Sequence, residues 1–104
     1  MQNYFNEELL EVDVEHYAKA GKQKPDTGAR FKIRIDKVFY ITSQRYVSGR
    51  ELLELAHKNP PENFRIDMIV HGGRPKKIEL EDKVDLAEPG VERFVTMPLD
   101  PTEG

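Results

Sequence analysis

The stretch that decides the fold is Phe31-Lys32-Ile33-Arg34-Ile35-Asp36-Lys37-Val38-Phe39-Tyr40-Ile41. Phe31, Ile33 and Ile35 alternate with Lys32, Arg34 and Asp36, the two-residue period of a half-buried strand. Asp36-Lys37 reads as a tight turn and Val38–Ile41 as the returning strand, so the segment predicts an antiparallel hairpin. Thr42–Val47 reads as a connection. Ser48-Gly49-Arg50-Glu51 then has the form of a capping box, in which Ser48 accepts from a backbone amide and Glu51 reaches back. Leu52, Leu53, Leu55 and Ala56 follow at helical spacing, and Asn59-Pro60-Pro61 stops the helix because proline lacks the amide and restricts its predecessor. The helix is expected over about Gly49–Lys58.

Further along, Phe64–Val70 alternates again, with Phe64, Ile66, Met68 and Val70 on one face. His71–Pro75 reads as a turn and Lys77–Leu80 as a short strand. Asp82–Gly90 is an acidic connection with Val84 and Leu86 as its inward anchors. Glu92–Met97 reads as the last strand, with Phe94 in the core and Pro98 ending it. Strand, strand, helix, strand, short strand, strand is an α+β string in which one helix covers one face of a mixed sheet. It fits the β-grasp arrangement, with the first and last strands side by side at the centre, although other small α+β folds share similar strings.

Upstream, residues 1–28 differ. Leu9, Leu10, Val14, Tyr17 and Ala18 fall partly at helical spacing, Gly21 is a stop, and residues 22–28 are polar and rich in turn formers. The expected organisation is an N-terminal extension over 1–28, a domain over 29–98 and an extended tail over 99–104. The extension is either a short helix or a loosely ordered terminus.

The chain has 104 residues and a net charge of −3, a length for one domain with a small core. The charge is uneven: residues 29–77 hold 11 basic and 5 acidic residues, whereas residues 78–104 hold 2 and 8. Most of these charges read as solvated faces of strands and a helix, not as a nucleic-acid footprint. With no cysteine, there is no disulfide framework, thiolate metal site or thiol nucleophile. No apolar run approaches a membrane span. The first residues do not resemble a secretory signal, and the expected location is the cytoplasm.

No catalytic constellation emerges. His16, His57 and His71 fall in the extension, near the helix end and in a turn, without metal-ligand spacing. Ser43 and Ser48 lie in no nucleophile elbow. Gly72-Gly73 lacks the phosphate-loop pattern and reads as a turn with positive φ. Glu81, Asp82, Asp85 and Glu88 lack the spacing of a calcium loop. The chain is expected not to be an enzyme and to need no cofactor.

Several stretches nevertheless resemble one family. They are His16–Lys22, Phe31–Lys37, Ser48–Ala56, Gly72-Gly73, Asp85–Phe94 and Met97-Pro98-Leu99-Asp100-Pro101-Thr102-Glu103-Gly104. Taken in order, they resemble the bacterial multiubiquitin-type domains, ubiquitin-like modifiers with the β-grasp fold. That resemblance implies attachment through a C-terminal glycine to a target lysine. It also implies three enzyme partners: an ATP-dependent activating enzyme, a conjugating enzyme and a JAB-type zinc peptidase that removes the modifier. By that likeness Gly104 is the conjugated residue and Pro101, Thr102 and Glu103 form the tail the enzymes read. A role in antiviral defence follows by analogy with related bacterial conjugation systems. The chain departs from ubiquitin in ending Thr-Glu-Gly after proline and aspartate, and it holds one domain, not a tandem.

A noncovalent adaptor on the same fold is the alternative. For partner binding, the expected surface combines Ile69, on the face opposite Met68, with Tyr40 or Val38. The competing reading is that the extension covers Ile69.

Overall fold

The computed structural model describes residues 11–25 and 30–99. The hairpin forms as its alternation predicts: β2 (Arg30–Ile35) pairs antiparallel with β3 (Val38–Thr42) across the Asp36-Lys37 turn. Phe31, Ile33 and Ile35 are buried, while Arg30, Lys32 and Arg34 face the other way. β5 (Phe64–Val70) pairs antiparallel with β8 (Val91–Pro98) on one side and β6 (Arg74–Ile78) on the other. β2 and β8 run parallel. This mixed sheet, with the helix α2 (Gly49–Leu55) against it, is the arrangement expected of a β-grasp fold.

α2 starts as the sequence dictates. Ser48 Oγ accepts from the Glu51 amide at 3.0 Å and the Glu51 carboxylate accepts from the Ser48 amide at 2.8 Å. Gly49 is required for a different reason: a Cβ there would lie 2.5 Å from the Glu79 carbonyl oxygen. That closeness lets the Gly49 and Arg50 amides donate to the carbonyls of Asp82 and Leu80, partnering amides that a helix start otherwise leaves open. α2 ends three residues before the predicted Lys58. His57 takes a left-handed φ of 62°; its amide donates to Glu54 and the Lys58 amide to Leu53, the Schellman closure that ends a helix before proline needs to. Leu52, Leu53 and Ala56 bury with Phe31, Ile33, Ile35, Ile66, Met68 and Phe94 in one core.

Other elements also departed from expectation. β6 begins at Arg74, not Lys77, because Gly72 and Gly73 adopt φ of 100° and 85° and reverse the chain at once, setting Arg74 opposite Val70. The Thr42–Val47 connection runs into one three-residue strand and the acidic Asp82–Gly90 connection contains another. These are β4 (Tyr46–Ser48) and β7 (Lys83–Asp85), which pair with each other in a separate ribbon. Neither is long enough to show a period. Val84 and Leu86 are buried as predicted.

The segment preceding the hairpin is built into the sheet. Helical spacing predicts a helix within Glu7–Ala20, but Glu11–Asp13 forms β1, parallel to β2, and the helix α1 covers only Val14–Ala20. β3 occupies the whole of one edge of β2, so β1 and β8 share the other. β1 takes the Arg30–Lys32 end, leaving β8 a single paired position at Ile35–Phe94. α1 leaves from that seam and packs on β8 and β2. Val12 and Val14 join the core that α2 covers, so the domain's interior reaches upstream of the boundary placed at residue 29. Residues 1–10 and 26–28 lie outside the described residues.

Candidate functional site

The last strand sets where the chain leaves the domain. Asp36, at a positive φ of 58°, holds β8 at three points. Its amide donates to the Phe94 carbonyl at 2.8 Å, and its carboxylate accepts from the Thr96 amide at 2.8 Å and the Thr96 hydroxyl at 2.6 Å. The turn residue picked out by sequence therefore also fixes the strand carrying the chain end. Past Thr96 the side chains open to solvent, with Met97 57% exposed. The Leu99 amide donates to the Asn63 carbonyl at 2.8 Å. Pro101, Thr102, Glu103 and Gly104, the residues the family likeness assigns to conjugation, lie outside the described residues.

The expected partner surface does not assemble. Ile69 is only 7% exposed. It sits opposite Arg93 and Pro75 in register, one residue from core-facing Met68. Tyr40 and Val38 are opposite Ile33 and Ile35, on the core side of the hairpin. Ile69 therefore points to the other face of the sheet from the two residues with which it was grouped. Instead Phe39 and Ile41 are the exposed apolar residues of the other face, opposite Arg34 and Lys32. The sequence did not mark this, because an apolar run without polar alternation does not say which face meets the core.

The other singled-out residues have structural partners. Asp85 accepts from Arg45 at 2.7 and 2.9 Å and from the Ala87 amide at 2.9 Å. The Arg45 guanidinium, ahead of the Ala87 amide bond, holds its carboxyl below the usual range. Asp82 accepts from the Glu79 amide. These bonds shape the acidic loop. Among the described residues no group of three or more His, Asp or Glu side chains is placed to hold a metal ion. The His71 ring lies 4.0 Å from the Glu92 carboxylate. Ser48 is the helix cap, and Ser43 is exposed.

Sequence reasoning missed Lys24. It is 3% exposed, and its ammonium donates to the Glu88 carbonyl at 2.8 Å and the Val91 carbonyl at 2.6 Å. It ties the segment after α1 to the start of β8. Burial pushes its pKa down to about 8, against the attraction of Asp85 and Glu88. Beside it, a cleft of about 250 Å³ runs between Tyr17, Ala18, Gly21, His71 and Gly90. No helix among the described residues is long and apolar enough to cross a membrane.

The comparisons agree with the topology. No curated protein and no solved structure matches the chain. The family model for multiubiquitin matches residues 31–98, from the first core residue of β2 to the last residue of β8. The match leaves out β1, α1 and everything after Pro98. With two thirds of its length matched and its strands in β-grasp order, this chain belongs to the multiubiquitin family of ubiquitin-like domains.

Proposed function

We propose that this chain is a protein modifier of the ubiquitin-like kind, joined through the carbonyl of Gly104 to lysines of target proteins. Family membership over residues 31–98 carries the reading. The exposed end of β8 supports it: Asp36 holds the strand in the sheet at Thr96, and Met97, Pro98 and Leu99 beyond it are exposed.

The chemistry asks little of the modifier beyond an accessible carboxylate, inherited or released by a peptidase. On an activating enzyme, the Gly104 carboxylate attacks the α-phosphorus of ATP and pyrophosphate leaves. An enzyme thiolate attacks the acyl adenylate and AMP leaves. After transfer to the thiol of a conjugating enzyme, a target lysine amine attacks the thioester carbonyl, loses a proton and expels the thiolate. Glycine suits each attack because no Cβ obstructs its carbonyl. Pro98 and Pro101 favour extended backbone in the residues preceding them. The chain contains no cysteine, so every sulfur comes from the enzymes and the modifier is their substrate. A JAB-type peptidase would reverse the bond.

The test is to incubate the purified chain with ATP and its activating enzyme, then look for a thiol-sensitive adduct on a non-reducing gel. Deleting Gly104 is expected to abolish the adduct; a fully active deletion overturns the proposal. Mass spectrometry of cellular conjugates should find the Gly104 remnant on lysine.

A further inference from the structure

Among the described residues, β3 and β6 each pair on one side only, and they are built in opposite ways. β6 is guarded: Arg74, Pro75, Lys76 and Lys77 are all exposed, and proline and lysine are the residues that stop another strand from pairing. β3 carries no such guard. Val38-Phe39-Tyr40-Ile41-Thr42 contains neither proline nor charge. Among the described residues it pairs only with β2. Its Val38, Phe39 and Ile41 side chains are 51%, 47% and 42% exposed. Alternate amides and carbonyls along its outer side therefore face no strand.

The charge around this edge selects what fits it. Arg30, Lys32, Arg34 and Lys37 against Asp36 give the hairpin a net charge of +3. Lys32 Nζ lies 4.7 Å from the Phe39 ring centroid and the Arg34 guanidinium 6.0 Å, so cations from β2 lean over β3 itself. A strand added beside β3 sits about 4.8 Å away, within reach of those cations for a carboxylate side chain. A second copy of the hairpin would bring like charge to the same place.

We propose that β3 is a docking edge for an extended acidic segment of a partner protein, added to the sheet as a further strand. Main-chain bonds to β3 supply the register. Apolar side chains of the partner pack on Phe39 and Ile41, and its acidic residues meet Lys32, since Arg34 is already paired with Glu15. This binding is noncovalent and does not use Gly104, so it stands or falls separately from conjugation.

The experiment uses the full chain and a fluorescent peptide that alternates valine with threonine and is flanked by glutamates, with a lysine-flanked peptide as control. Amide shifts are expected at residues 38–42 but not at 74–78. Lys32→Glu and Phe39→Glu are each expected to weaken binding about tenfold or more, with circular dichroism reporting that both variants stay folded. Higher salt should weaken it further. Equal affinity for the lysine-flanked peptide, shifts centred on β6, or self-association through β3 that excludes the peptide would each overturn the proposal.

Discussion

The two helices make an instructive pair. Both have seven residues, both begin at a side-chain cap (Asp13 for α1, Ser48 for α2), and both end in the same closure. In that closure, Gly21 and His57 occupy corresponding left-handed positions. They differ in what holds them. α2 buries Leu52 and Leu53 completely. α1 adds Val14 to the core, but its first turn carries a buried glutamate: Glu15 meets Arg34 at 2.6 Å and Lys19 at 2.9 Å. The segment that follows is tied down through the buried amine of Lys24. One helix is seated by the hydrophobic effect, the other largely by paired polar groups, and polar pairing depends on partners distant in sequence.

The contrast can be broken most severely at Leu52. Leu52→Ala removes a fully buried side chain and leaves a cavity, so a loss of about 2–5 kcal/mol is expected in urea unfolding. A loss below about 1 kcal/mol would mean that α2 is not seated by its apolar face.

A smaller effect is expected at the polar seat. Arg34→Met leaves the Glu15 carboxylate buried with only the exposed Lys19 as cation, a cost of about 1–3 kcal/mol. The loss should show as faster amide exchange in residues 14–20, with residues 49–55 unchanged. Equal acceleration in both helices would erase the distinction.

Lys24 sharpens the comparison through pH. Its pKa near 8 in the folded chain lies below the ordinary lysine value of 10.5, so the unfolded chain binds the extra proton between those values. This residue's contribution to stability therefore rises as pH goes from about 8 to 10.5, by at most about 1.4 kcal/mol per pH unit. The neutral amine keeps two N–H donors for the carbonyls of Glu88 and Val91. Lys24→Met should remove this component, seen as the difference between wild-type and variant urea midpoints across that range. A difference that falls with pH would contradict the assignment.

The smallest change is expected where the helices are most alike. His57→Gly places at the end of α2 the residue type that closes α1, and relieves a left-handed conformation that costs a non-glycine residue about 1–2 kcal/mol. Since glycine also loses more entropy on folding, the net expectation is a gain of about 0.5–1 kcal/mol in thermal or urea unfolding.

Legibility followed the range of the interaction. The β2–β3 turn, the Ser48 capping box, the strand β5 and the burial of Phe94 could be read because each is encoded within a few neighbouring residues. β4 and β7 could not, since three residues carry no period and each exists only because the other lies opposite. Whether Ile69 is exposed or covered could not be read, because alternation reveals which face a side chain is on, not what covers that face. The conjugation tail was legible only through family likeness, and its residues from Asp100 onward lie outside the described structure.

By itself, the sequence determined a hairpin, a capped helix and two further long strands in β-grasp order, and the absence of any thiol for chemistry. Periodicity, caps and turns are local, so they survive without knowledge of the fold. Tertiary structure alone decided three things. β1 shares an edge of β2 with β8, a buried lysine joins residues 88 and 91 to residue 24, and the outer side of β3 meets no described strand while β6 is guarded. Each depends on which strands become neighbours, and that is settled by packing the whole core at once.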